Sequence, residues 1–117
     1  MVVLVTGDRN WSKPQAVHRE LYKRREKLAL VVEGGARGAD FAAKEAADLL
    51  GIQVATFHAN WTYHRKAAGP IRNANMIKFV QPDLVLAFHP DLKQSKGTRD
   101  MVRQARKAGI RVKVFKK

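Results

Sequence analysis

The 117-residue sequence has no cysteine. Disulfides and thiolate metal sites are therefore excluded, and a reducing, cytoplasmic setting is the expectation. Its four histidines, His18, His58, His64 and His89, show no metal-ligand spacing, so no metal site is expected. No apolar run approaches the ~18 residues of a membrane-crossing helix. The opening run Met1–Thr6 is too short for a secretory leader and has no basic start, so no membrane partner is expected. The dinucleotide fingerprint GxGxxG is missing, and so is the phosphate loop GxxxxGK followed by Ser or Thr. Acid is scarce: 10 Asp and Glu stand against 23 Lys and Arg, a formal net charge of +13. Such an excess suits a polyanion or a phosphorylated ligand, although a solvated, solubilising surface explains the same number.

What is present is an alternation of strand and helix along one domain, residues 1–117, with no linker or repeat. Val2–Thr6 is an apolar run with the character of a buried strand. Ser12-Lys13-Pro14-Gln15 has the pattern of a capping box, with Pro14 in the first turn of a helix that carries Val17 and Leu21. A second strand is expected at 29–33. An alanine-rich helix follows at 40–50, with Ala42, Ala46, Leu49 and Leu50 inward and Gly51 as its left-handed cap. The third strand is expected at 53–57, then a loop over 58–69. A helix from Pro70 turns Ile71, Ala74, Ile77 and Val80 inward and ends before Pro82. The fourth strand covers 84–88. A last helix from Thr98 turns Val102, Ala105 and Ala108 inward, and a fifth strand covers 111–115.

Five strands joined by helices imply a Rossmann-like α/β domain of three layers, a parallel sheet with helices on both faces. Polarity orders the strands. VVLV and LVLAF are almost wholly apolar and belong at the centre. The third strand has Gln53 and Thr56, and the fifth alternates Arg111 and Lys113 with Val112 and Val114, as edges do. The expected order is 3-2-1-4-5.

Ligands of such sheets bind at the carboxyl ends of the strands, where the order reverses. Four turns rich in glycine or small polar residues fall there: Gly7-Asp8-Arg9, Gly34-Gly35-Ala36-Arg37-Gly38-Ala39-Asp40, Gly69-Pro70-Ile71-Arg72-Asn73, and Gly97-Thr98. Helix starts supply free amides and partial positive charge, and glycine lets backbone approach an anion. Arg9, Arg37 and Arg72 are candidate phosphate ligands, Thr98 a hydroxyl donor, and Asp40 a cap or an acceptor for a ribose hydroxyl. Trp61 and Tyr63 either stack on a base or pin their loop to the core. Arg99, Arg103, Arg106, Lys107 and Lys113 form a basic surface suited to nucleic-acid phosphates, or to a helix C-terminus and a protected edge strand.

The motifs VTGDRNW, GGARGAD, HANWTYHRKAAGPIRNANM, LAFHP and GTRDMVRQARKAGI together resemble the YspA-like branch of the SLOG superfamily. That superfamily includes DprA/Smf and the LOG phosphoribohydrolases, and small members of the branch occur in bacteria and their phages. The resemblance implies a Rossmann-like fold and a nucleotide-derived ligand at Gly7, Arg9, Gly34, Gly35, Arg37, Gly38, Asp40, Gly69, Arg72, Asn73, Gly97 and Thr98. No other cofactor is implied. LOG enzymes share a PGGxGTxxE motif with a catalytic glutamate. Here the stretch reads Gln94-Ser95-Lys96-Gly97-Thr98-Arg99-Asp100-Met101, with Met101 at the glutamate position, which disfavours nucleotide N-glycoside hydrolysis. The expected function is binding, sensing or processing of a phosphorylated nucleotide-like ligand. DprA-like binding of DNA through the basic surface, without sequence readout, is the alternative; DNA or RNA is a candidate partner, and a homo-oligomer is compatible with either reading.

Overall fold

Side chains of a strand alternate between the two faces of its sheet, so a strand covered on both faces must be apolar throughout. In the computed structural model, which describes residues 1–117, β1 (Val2–Gly7) and β4 (Leu84–Phe88) meet that demand. Val3, Leu4, Val5 and all of β4 are buried. These two strands pair in the middle of a five-stranded parallel sheet of order β3-β2-β1-β4-β5. β2 (Leu30–Glu33) pairs with β1 and with β3 (Gln53–Thr56), and β5 (Arg111–Phe115) closes the other edge with Arg111 and Lys113 exposed.

Helices α1 (Pro14–Lys23) and α2 (Ala39–Leu50) cover one face of this sheet. A four-residue helix α3 (Trp61–His64) and a 3-10 turn (Arg65–Ala67) lead into α4 (Ala68–Val80), which covers the other face with α5 (Gly97–Lys107). The larger core joins Val3, Val5, Leu86 and Phe88 to Val17 and Leu21 of α1 and to five alanines of α2. Alanine has little bulk, so α2 lies close to the sheet. The smaller core joins Leu4, Val32 and Val85 to Met76, Met101 and Ala105. Each fully buried large side chain contributes roughly 1.5–3 kcal/mol. No helix is long and apolar enough to cross a membrane.

Local pattern misplaces some faces. Ser12 caps nothing: α1 begins after Lys13 without a side-chain cap, and Trp11 Nε1 donates to the Lys13 carbonyl at 2.8 Å instead. Leu49 is 77% exposed, because the small alanines take the sheet side of α2. Ala74 and Ala108 are exposed, while Asn73, Met76 and Met101 point inward. The segment 58–69 holds α3 and the 3-10 turn rather than a plain loop.

Candidate functional site

Chain connections leave β1 and β4 toward opposite sides of the sheet, so a crevice opens beyond their carboxyl ends. A cleft of about 510 Å³ lies there. Its walls are Thr6 and Gly7 at the end of β1 with Asp8, Arg9 and Asn10 of the turn that follows, Ala36 and Asp40 around the start of α2, and Trp61, Gly69 and Arg72 from α3 and α4. His89 after β4 and Gln94–Thr98 at the start of α5 complete it.

The turn after β1 is seated on α2. The Asp8 amide donates to the Phe88 carbonyl at 2.8 Å, and its carboxylate accepts the Asn10 amide at 2.9 Å. The Asp8 carbonyl accepts from Ala39 N at 3.2 Å, so the first residue of α2 already has a partner for its amide. Gly38 makes the close approach possible: its φ is +70°, and a Cβ would lie 2.6 Å from the Arg9 carbonyl carbon.

The glycine-rich loop after β2 turns its amides inward. Asp40 Oδ2 accepts from Gly34 N at 3.1 Å and Ala36 N at 3.3 Å, and Glu33 Oε1 accepts from Gly35 N at 2.6 Å. Thr56 Oγ1 donates to the other oxygen of Glu33. Three successive amides, expected to hold a ligand phosphate, thus hold the protein's own carboxylates. Burial pushes the Asp40 carboxyl up to about 7. The Ala36 amide opposes this, the Glu33 charge adds to it, and Arg72 and the Gly34 amide oppose it. Asp40 Oδ1 has no protein partner, and Asp40 walls the cleft.

Arg72 and Asn73 knit three elements together. Arg72 Nη1 donates to the carbonyls of Gly34 at 2.6 Å and Phe57 at 3.4 Å, and Nε donates to Asn73 Oδ1 at 3.0 Å. Only Nη2 is left without a protein partner. Asn73 is buried and donates from Nδ2 to the Gly97 carbonyl at 3.2 Å and Asp100 Oδ2 at 3.0 Å. Burial raises the Asp100 carboxyl, but hydrogen bonds from Asn73, Arg103 and Gln104 outweigh it and hold the group below its usual range. Met101 is fully buried in the smaller core, away from the cleft.

The other walls carry both engaged and free polar groups. His89 Nδ1 accepts the Asp91 amide at 3.0 Å, so the neutral ring carries its proton on Nε2. Ser95 Oγ accepts the Thr98 amide at 2.9 Å and caps the entry to α5. The side chains of Arg9 and Lys96 are exposed and make no hydrogen bond or ion pair within the chain. Trp61 is 60% exposed and lies above Gly69, 3.5 Å from where a Cβ would sit.

Of the residues expected from the sequence, Gly7, Arg9, Asp40, Trp61, Gly69, Arg72, Gly97 and Thr98 come together around the cleft. Gly34, Gly35, Arg37, Gly38, Asn73 and Tyr63 do not reach its walls. Arg37 is exposed outside it, and Tyr63 packs edge-on against His64 with ring centroids 4.8 Å apart. Asn10, Gln94, Ser95 and Lys96 line the cleft without having been expected there. Only Ser95 carries a signal in the sequence, a hydroxyl three residues before Thr98 at a helix start. Arg99, Arg103, Arg106, Lys107 and Lys113 are exposed, and Arg103 pairs with Asp100 at 2.8 Å. No group of three or more His, Asp or Glu side chains is arranged to hold a metal ion.

Fold and cleft define a class: a Rossmann-type α/β domain with a polar, cation-bearing crevice at its switch point. The chain belongs to the YspA, cpYpsA-related SLOG family, YAcAr, whose family model matches residues 1–64. It is 39% identical over 119 residues to the Gene 61 protein of Mycobacterium phage D29, across 94% of this chain and 92% of that protein. That coverage extends the relationship beyond residue 64 into α4 and α5. The fold is also that of DNA processing protein A (DprA) from Streptococcus pneumoniae, with a TM-score of 0.76 and 19% identity. The match covers 96% of this chain and 49% of DprA, so the chain spans about half the length of that protein.

Proposed function

We propose that the cleft binds a phosphorylated, nucleotide-like ligand. The observation that carries this is the pairing of two cations without protein partners, Arg9 and Lys96, with the start of α5, where Ser95 takes the Thr98 amide and the Gly97 amide is left free, in one crevice. Helix starts favour anions through their amides and dipole. Gly97 faces open space there: a Cβ on it would have no atom within 4 Å, so phosphate can come close to backbone. Arg72 Nη2 adds a third donor. Trp61 offers an exposed ring for a base, and Asp40 Oδ1 a partner for a sugar hydroxyl.

A thermal-shift panel of nucleoside mono-, di- and triphosphates, with inorganic phosphate alongside, tests this reading. A ligand at about 100 times its Kd adds about 2.7 kcal/mol of stability. Arg9→Ala with Lys96→Ala should remove the response, whereas Arg37→Ala, outside the cleft, should keep it. A response unchanged in the double variant, or no response to any panel member, would refute the proposal.

A second reading has its own support. α5 starts at the cleft and carries Arg99, Arg103 and Arg106 outward, with Lys107 and Lys113 nearby. The row suits a nucleic-acid backbone leading out of the crevice, in keeping with the fold shared with a DNA processing protein. Binding of single-stranded DNA should then weaken steeply with salt, as each neutralised phosphate releases a counterion. Salt-independent binding, or none at low salt, removes it. Glycosidic cleavage of the LOG type is not proposed, because Met101 is in the core and Asp100 is engaged by Asn73, Arg103 and Gln104.

A further inference from the structure

α1 and α2 lie side by side on the sheet, and nothing covers their outer surfaces. Tyr22, Phe41 and Leu49 are each more than half exposed. Phe41, Glu45 and Leu49 recur every four residues and form one stripe of α2, and Gln15, Arg19 and Tyr22 form the facing stripe of α1. Between the stripes runs a groove of about 700 Å³, with Ala46 and Leu50 also in its walls. Single exposed apolar residues are ordinary, but Tyr22 and Leu49 face each other across this groove, with Phe41 further along the same stripe of α2, and such a cluster marks an interaction surface.

Charge indicates the occupant. Leaving out Asp40, which is buried and walls the cleft, α1 and α2 together carry three basic (Lys, Arg) and three acidic side chains, in a chain of net charge +13. The two helices are therefore close to neutral, and two copies can approach here with little repulsion. Two exposed groups in the groove are poorly matched within one chain. Arg19 has only Glu20, at a long 3.9 Å, and half-exposed Glu45 has only the imidazole of His18, at 3.3 Å. A two-fold axis that set α1 of one copy against α2 of the other would form an Arg19–Glu45 pair twice.

We propose that this face joins two copies of the chain in a two-fold dimer. Arg19 meets the partner's Glu45, and Tyr22 and Leu49 become covered. The pairing leaves α4 and α5, on the opposite face, and the cleft at the strand ends open. A two-helix face lies at the small end of specific interfaces, so association belongs in the micromolar range.

Sedimentation of the full chain from about 1 µM to about 1 mM spans that range. The expected result is a monomer–dimer transition within it. Leu49→Glu and Arg19→Glu should each move the midpoint at least about tenfold upward, near 1.4 kcal/mol. Arg19→Glu combined with Glu45→Arg should bring it back. Melting curves show whether each variant keeps its fold, which is expected at these exposed positions. A wild-type chain that stays monomeric at every concentration overturns the proposal and leaves the face to a different protein. Dimerisation unchanged by both single variants overturns it as well.

Discussion

Arg72 Nη1 donates to the Gly34 carbonyl at 2.6 Å and so ties the first turns of α4 to the loop after β2, across 38 residues of sequence. Gly34 has to be small for this: a Cβ would lie 2.8 Å from Arg72 Cζ. The guanidinium is thus first a clamp, and only its Nη2 is left without a protein partner. Replacing Arg72 by Ala removes charge-assisted bonds of about 1.5–3 kcal/mol. Lys at this position should recover less than half, because an ammonium lacks the planar fork that reaches Gly34, Phe57 and Asn73 together. Urea unfolding midpoints measure both, and a midpoint unchanged in Arg72→Ala would contradict the clamp.

Asp40 should make stability fall as pH rises. Its carboxyl titrates near 7 in the folded chain, against an ordinary value of 3.8. The folded state therefore holds the proton more tightly. Its contribution is complete below about pH 4 and is lost as pH climbs through about 7, with a slope approaching ~1.4 kcal/mol per pH unit. Asp40→Asn stays neutral and keeps an oxygen for the Gly34 and Ala36 amides. Unfolding free energies of this variant should lose that slope between about pH 4 and pH 7. Retention of the full wild-type slope would show that Asp40 is not its source.

Asn73 serves as the hub between α4 and α5. Asn73→Ala leaves the Gly97 carbonyl and an Asp100 oxygen short of a donor, at a cost of about 1–3 kcal/mol. Asn73→Asp should be worse at neutral pH, since it sets a second carboxylate against Asp100. Equal melting temperatures for these two variants at pH 7 would argue against a donating Nδ2.

Gly97 allows folding and the proposed binding to be tested separately. A methyl group there meets nothing, and Ala favours a helix over Gly by up to about 1 kcal/mol. Gly97→Ala should therefore melt at or above the wild-type temperature while losing much of its thermal response to nucleotides. A variant with both properties intact would move the phosphate away from the start of α5.

Trp61 is exposed enough for its loss to leave stability within about 0.5 kcal/mol. If a base stacks on it, Trp61→Ala should weaken nucleotide binding by roughly 1–3 kcal/mol. Quenching of tryptophan fluorescence on titration should then vanish in the variant. Persisting quenching would assign the signal to Trp11.

Much of the architecture was legible in the residues themselves. The wholly apolar VVLV and LVLAF runs announced β1 and β4 as central, and the Arg111–Lys113 alternation announced β5 as an edge. From that polarity the order β3-β2-β1-β4-β5 followed, and with it the place of the cleft. Burial on one face or two is written in local periodicity, so these features need no knowledge of distant contacts.

Hydrogen-bond allegiance is not local, and there tertiary structure decided. Nothing in GGARGAD says that Asp40 and Glu33 will take the loop's three amides, or that Arg72 will turn to the Gly34 carbonyl. Asn73 points inward where periodicity favoured Ala74, because Gly97 and Asp100 approach it from α5. Periodicity and turn chemistry therefore identified the cleft and several of its walls. Which donors remain open in it depended on partners up to 38 residues away, since a polar group's role is set by what folding brings within about 3 Å of it.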